Sequence, residues 1–211
     1  MKLIEQVMSD VILTEATEVV RRNRGAAGID QVSAQDAREY MAEHKGEIRQ
    51  AVLEMTYRPQ PVRRVYIPKP NGKQRPLGIP TVVDRVVQTA AKLVLEPIFD
   101  PEFSESSYGF RPGRSQHDAV NRALEYMNSG YDWIVDLDIE KYFDTVNHDK
   151  LISLIRTKVN DKATLHLLRA FLRAGVMENG VVMANKVGTP QGGLCEASHK
   201  PPYAKKKIMQ S

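Results

Sequence analysis

Between Ile134 and His148 the chain reads IVDLDIEKYFDTVNH: an apolar run with aspartates at 136 and 138, an aromatic pair at Tyr142 and Phe143, and a further aspartate at 144. A carboxylate in a buried strand costs free energy unless something positive meets it. Strand side chains alternate, so Ile134, Asp136 and Asp138 would share one face, and Trp133, Val135, Leu137 and Ile139 the other. Two carboxylates on one face repel unless a cation sits among them, and a hard divalent ion with oxygen ligands is the natural candidate. Phe143 would fall on the opposite face if the strand simply ran on. For Asp138 and Phe143 to serve one site, the chain must turn at Glu140 to Tyr142, which would expose backbone N–H groups able to hold phosphate oxygens. A plainer reading leaves Asp136 and Asp138 at a wet strand end, with Asp144 or Asn147 capping the next helix.

A second cluster is basic. The net charge of +4 would say little about nucleic acid if it were evenly spread, but RPQPVRRVYIPKPNGKQR, residues 58–75, carries Arg58, Arg63, Arg64, Lys69, Lys73 and Arg75 with no acid. That concentrates positive potential on one element, which as a bland alternative would be a solvated face. Apolar and basic residues alternate on both sides of Asn71-Gly72, a strong hairpin signal, and the prolines suit edge strands. A two-residue loop at Asn71-Gly72 would put Lys69 and Arg75 on opposite faces, whereas a three-residue loop over 71–73 would pair them directly.

The elements that must position these residues are helices and hairpins in irregular order, an α+β pattern rather than alternating βαβ units. Ser33 to Met55 reads as a helix with Ser33 as N-cap and Asp36 returning the bond, weakened at Gly46. Asp84 to Phe99 reads as a mostly buried helix interrupted by Pro97. Ser115 opens a third, with Asp118 completing a capping box and Gly130 just past its end. The strand Trp133 to Ile139 follows, then helices over about 148–158 and 162–173. VMENGVVM forms a second hairpin turning at Asn179-Gly180. His117, His148 and His166 are too irregularly spaced for a metal set and read as cap or surface residues. With 211 residues, 42% of them apolar, the chain fits one large or two small domains without disulfides, and it has one cysteine, Cys195. No apolar run approaches the roughly 20 residues of a membrane span, and MKLIEQVMSD has no apolar signal core. No membrane association is expected, and a reducing cytoplasm is the expected compartment.

The blocks SYGFRPGRS, DLDIEKYFD and GTPQGG, in this order and with KPNGKQRPLGIPT upstream, resemble the successive motifs of reverse transcriptases encoded by bacterial group II introns. GAAGIDQVS resembles the extra N-terminal block of that group. The likeness runs from about residue 25 to 193. It implies a right-hand polymerase fold containing the fingers and the first half of the palm, with antiparallel strands packed against helices. The fingers would comprise 1–85 together with 147–192, the palm 86–146, and 193–211 would be an atypical, disordered tail.

The implied activity is RNA-directed DNA polymerisation, with deoxynucleoside triphosphates and a primed RNA template as substrates and two magnesium ions as cofactors. By resemblance, Asp138 is a metal ligand, the carbonyl of Ile139 joins the metal shell, and Phe143 is the gate that would clash with a 2′-hydroxyl. Lys69 and Arg75 would grip the incoming triphosphate, and Gln191 would pack against its sugar and base. Asp136 and Asp144 take no such role and stay structural. Arg111 and Arg114 precede a helix N-terminus that favours anions, so they read equally as a template-phosphate contact or as an ordinary turn. Arg63 and Arg64 are placed on the RNA template path.

After GTPQGG the sequence departs from the family. An apolar helix and a hairpin bearing aromatic-x-Asp-Asp should follow, but the chain reads LCEASHKPPYAKKKIMQS, with no acid after Glu196 and no Asp-Asp pair anywhere. No thumb or maturase region of the kind the family carries is expected within these 211 residues. The chain alone is therefore expected to bind magnesium poorly and not to extend a primer. One rival is a non-catalytic module that grips intron RNA or pairs with itself as a homodimer through unpaired palm edges. Another is a reverse transcriptase of the retron, diversity-generating or phage-defence kind, against which GAAGIDQVS speaks.

Overall fold

Apolar residues at helical spacing build the core of the computed structural model, which describes residues 1–68, 72–185 and 187–189. The helices are α1 (Leu3–Val7), α2 (Asp10–Asn23), α3 (Ala37–Leu53), α4 (Val82–Phe99), α5 (Gln116–Asn128), α6 (Tyr142–Thr145), α7 (His148–Arg156) and α8 (Lys162–Arg173). The strands are β1 (Val62–Pro68), β2 (Gln74–Ile79), β3 (Val176–Glu178) and β4 (Val181–Met183).

Four α2 residues, Leu13, Ala16, Thr17 and Val20, and the α4 residues Val86, Val87, Ala90 and Ala91 are buried where these helices meet, joined by residues of α1, α3 and α8. Side-chain caps fix the helix starts. Thr81 accepts from the amide of Asp84, and Asp161 accepts from Thr164 while also taking the amide of Ile4 at 3.0 Å, which ties α1 to the start of α8. Position 85/86 falls inside α4, so that helix carries one continuous apolar face across the expected boundary between fingers and palm.

The sheet runs β2-β1-β3-β4, with antiparallel pairing except for a short parallel contact of β1 with β3. The fold is thus α+β as expected, with a small, mainly antiparallel sheet beside the helices. The second hairpin turns as expected: Asn179 and Gly180 have φ of +50° and +79°, the pair of left-handed residues a tight two-residue hairpin requires. The first hairpin has its own register. Arg75 lies across from Ile67 and Gln74 from Pro68, so neither a two- nor a three-residue loop joins the strands. Asn71, where the turn was expected, lies outside the described residues.

Three expectations about elements are corrected. Helix α3 begins at Ala37 rather than after Ser33, because the Ser33 hydroxyl accepts from Gln35 two residues on and stabilises a turn there; Asp36 becomes the N-cap without a side-chain bond. Helix α4 runs through Pro97 to Phe99. The ring removes one donor near the helix end, and the amide of Asp100 restores the ladder by donating to Glu96. The strand over 133–139 does not form. Among the described residues no strand pairs with it, and Trp133, Ile134, Val135, Leu137 and Ile139 are all exposed, from 60% to 80%. An extended segment is a strand only when neighbours take its backbone groups. The α5 residues Val120, Leu124 and Met127 are exposed as well, so this half of the chain presents an apolar surface that the described residues leave uncovered.

Candidate functional site

The turn anticipated after the aspartates is present. Lys141 adopts a left-handed conformation (φ +50°) and α6 begins at once, carrying Tyr142 and Phe143 with their rings edge to face at 5.4 Å. Two distant sequence blocks meet here. The amide of Thr189 donates to the carbonyl of Phe143 at 2.7 Å and the amide of Gly188 to that of Val146 at 2.8 Å, which lays the start of GTPQGG along the α6 turn. Gly188 has φ +82°, and a Cβ there would lie 2.7 Å from the carbonyl oxygen of Asp144. Glycine is needed for both reasons. The carbonyl of Gly188 in turn accepts from His148 Nε2 at 2.6 Å and Asn185 Nδ2 at 3.0 Å. Gln191 lies outside the described residues.

Asp136 and Asp138 are exposed, and one Asp138 oxygen accepts from the neighbouring Ile139 amide at 3.0 Å. Asp144 sits within α6, and Asn147 caps α7 by accepting from Lys150. Among the described residues no group of three His, Cys, Asp or Glu side chains could hold a metal ion. The Asp138 carboxylate and the Ile139 carbonyl fit magnesium in the type of their donor atoms but fall short of a full ligand set.

On the basic hairpin, Arg64 is half-buried and Arg75 exposed, while Lys69 lies outside the described residues. Arg63 turns back: Nε and Nη2 donate to the carbonyl of Ala27 at 3.0 and 2.6 Å. Arg85 holds the same loop, donating to the carbonyls of Arg24 and Ala26. The GAAGID loop is thus pinned to the sheet beside an open cavity of about 520 Å³ lined by Ala27, Gly28, Ile29, Gln31, Arg63 and Met177.

Arg111 is likewise drawn inward, its side chain 8% exposed. It pairs with Asp100 at 2.7 Å, donates to the carbonyls of Ser104 and Ser107, and lies over the ring of Phe103. Its hydrogen bond holds the Asp100 carboxyl below the usual carboxylate range. Arg114 lies over Tyr108 and donates to the carbonyl of Glu105.

A family model described as reverse transcriptase (RNA-dependent DNA polymerase) matches residues 67–196. The chain belongs to the reverse transcriptase family. Similar proteins include protein YkfC of Escherichia coli K12, 37% identical over 92% of this chain and 52% of its own length. The group II intron-encoded protein LtrA of Lactococcus lactis is 44% identical over 70% of this chain and 25% of its own. The chain therefore spans about half of the first relative and a quarter of the second. A solved structure titled as a partial Cas6-RT-Cas1--Cas2 complex shares the fold, with a TM-score of 0.61 at 20% identity, covering 92% of this chain and 32% of that one.

Sequence reasoning missed some residues of this reverse transcriptase chain. His148, taken for a cap or surface residue, is 7% exposed and reaches a carbonyl forty positions on; Asn185 converges on the same atom. No local pattern signals a pairing at that separation. Arg85 was hidden inside a helix whose apolar stripe dominated the reading. No helix among the described residues is long and apolar enough to cross a membrane.

Proposed function

We propose that this reverse transcriptase chain supplies the fingers (1–85 with 147–192) and the first half of the palm (86–146) of an RNA-directed DNA polymerase of the group II intron kind, acting in the cytoplasm. The observation that carries the reading is the joining of Gly188 and Thr189, the start of GTPQGG, to the Phe143 turn, with Asp138 exposed just before it. In this assignment Phe143 lies against the sugar of an incoming deoxynucleoside triphosphate and excludes a 2′-hydroxyl. Gln191 contacts the same sugar and base, and Lys69 and Arg75 hold the phosphates. Asp138 and the Ile139 carbonyl would be magnesium ligands; the ions, when bound, supply Lewis-acid activation of the primer hydroxyl and of the leaving pyrophosphate. Arg64 and Arg114 face the primed RNA template or intron RNA, while Arg63 and Arg111 shape its path through the loops they hold.

With Asp138 the one carboxylate assigned as a metal ligand, and no Asp-Asp pair in the sequence, the chain by itself is short of ligands for two-metal chemistry. It should bind RNA through its basic fingers without extending a primer. The test is filter binding to structured intron RNA beside primer extension on the same preparation. RNA retention that weakens with salt and in Arg64→Ala, without DNA synthesis, is the expected pair of results. Magnesium-dependent synthesis by the purified chain would overturn the inactive assignment. Absence of RNA binding would overturn the fingers assignment.

A further inference from the structure

The peptide unit joining Gly188 to Thr189 is held on both edges. Its N–H donates to Phe143, and its carbonyl oxygen receives two donors, His148 Nε2 at 2.6 Å and Asn185 Nδ2 at 3.0 Å, which fill both lone pairs. A carbonyl can only accept, so the contact requires the proton of His148 on Nε2. His148 stands at the first position of α7, directly after the Asn147 cap, and Asn185 also donates to the carbonyl of Leu172 near the end of α8. Two helices are thereby tied to one peptide plane. A buried imidazole aimed at a backbone oxygen costs desolvation that a surface cap would avoid, and an apolar residue would fill the same space.

We infer that His148, assisted by Asn185, is a positioning residue: it fixes the Gly188–Thr189 peptide plane, and so the placement of these two residues against the Phe143 turn. The inference rests on the nucleotide-site reading, since that is what gives the placement a consequence. With the plane free to rotate, Gly188 and Thr189 would lose their hydrogen bonds to the Phe143 turn and discrimination between sugars would fall.

The test uses the full 211-residue chain. Amide hydrogen exchange is followed in wild type, His148→Phe, His148→Gln and Asn185→Ala. Phe keeps bulk without a donor, while the Gln amide can reach the same carbonyl. In His148→Phe, the Gly188 and Thr189 amides should exchange roughly tenfold faster, the equivalent of one lost hydrogen bond, with α4 amides unchanged. His148→Gln should recover most of that protection, and Asn185→Ala should give a smaller change of the same sign even if His148→Phe fails to fold. Unchanged protection at both amides, or a loss spread evenly over the chain, would overturn the inference. In parallel, the ratio of deoxy- to ribonucleoside triphosphate binding should fall in His148→Phe and return in His148→Gln. A ratio unmoved by the substitution would reduce His148 to packing and overturn its positioning role. If the wild-type chain binds neither nucleotide, the nucleotide-site reading fails while the exchange pattern still decides whether His148 holds the loop.

Discussion

The phenol of Tyr57 donates to the carboxylate of Asp84 at 2.7 Å, joining the segment that leads into β1 to the first turn of α4. Asp84 is 2% exposed and also accepts from the Gln60 amide at 3.0 Å and the Thr81 hydroxyl at 2.7 Å. It lies at a helix N-terminus, where negative charge is favoured. Asp84→Ala would strand the three donors together, so the chain should lose about 3 kcal/mol in urea unfolding. Tyr57→Phe removes one bond and should cost about 1 kcal/mol. Equal effects of the two substitutions would mean that Asp84 does not organise this junction.

Two carboxylates should answer pH in opposite senses. Burial raises the Asp84 pKa above its ordinary value, so its contribution is fullest below the usual carboxylate range and declines as pH rises through the raised pKa. The hydrogen bond from Arg111 lowers that of Asp100, whose contribution is present above the usual range and is lost as pH falls through the lowered pKa. The stability difference between wild type and Asp100→Asn should therefore shrink on acidification. The difference between wild type and Asp84→Ala should shrink on alkalinisation. Unfolding midpoints of the three proteins across a pH series check both directions.

Glycines at 46 and 188 separate helix propensity from close approach. Gly46 lies in the interior of α3 with nothing within 4 Å of an added Cβ. Gly46→Ala should stabilise the chain by about 0.5 to 1 kcal/mol. Gly188→Ala would force both a strained φ and a clash with the Asp144 carbonyl, costing about 2 kcal/mol and freeing the Gly188 and Thr189 amides to exchange. Thermal unfolding of the pair should move in opposite directions.

What could be read from sequence follows the range of the interactions. The Ser115–Asp118 capping box and the Asn179-Gly180 turn were legible because each is closed within a few residues. So was the turn that brings Phe143 out of line with the segment before it, because alternation along an extended chain makes that demand. The hairpin register was not: either loop length satisfied the same residues, and pairing over the full length of β1 and β2 decided it. The 133–139 strand was misread because alternation encodes the face a side chain would take but supplies no neighbour to bond the backbone. Arg63 and Arg111 showed their charge in the sequence but not their partners, which are carbonyls and a carboxylate set by tertiary placement.

Trp133 is the one tryptophan of the chain, and at 80% exposure it reports directly on the uncovered apolar segment. In dilute solution its emission should be that of a hydrated indole and readily quenched by acrylamide. An apolar ribbon without strand neighbours among the described residues, in a chain whose α5 also exposes Val120, Leu124 and Met127, is a template for pairing with another chain. Raising the protein concentration should therefore shift the emission to the blue and reduce quenching, with sedimentation showing association over the same range. Two such ribbons brought together also bring their Asp136 and Asp138 carboxylates closer, so the association should be weaker at low ionic strength and strengthen as salt screens the repulsion. Emission that stays constant while the protein sediments as a monomer throughout would show that the ribbon does not draw copies of the chain together.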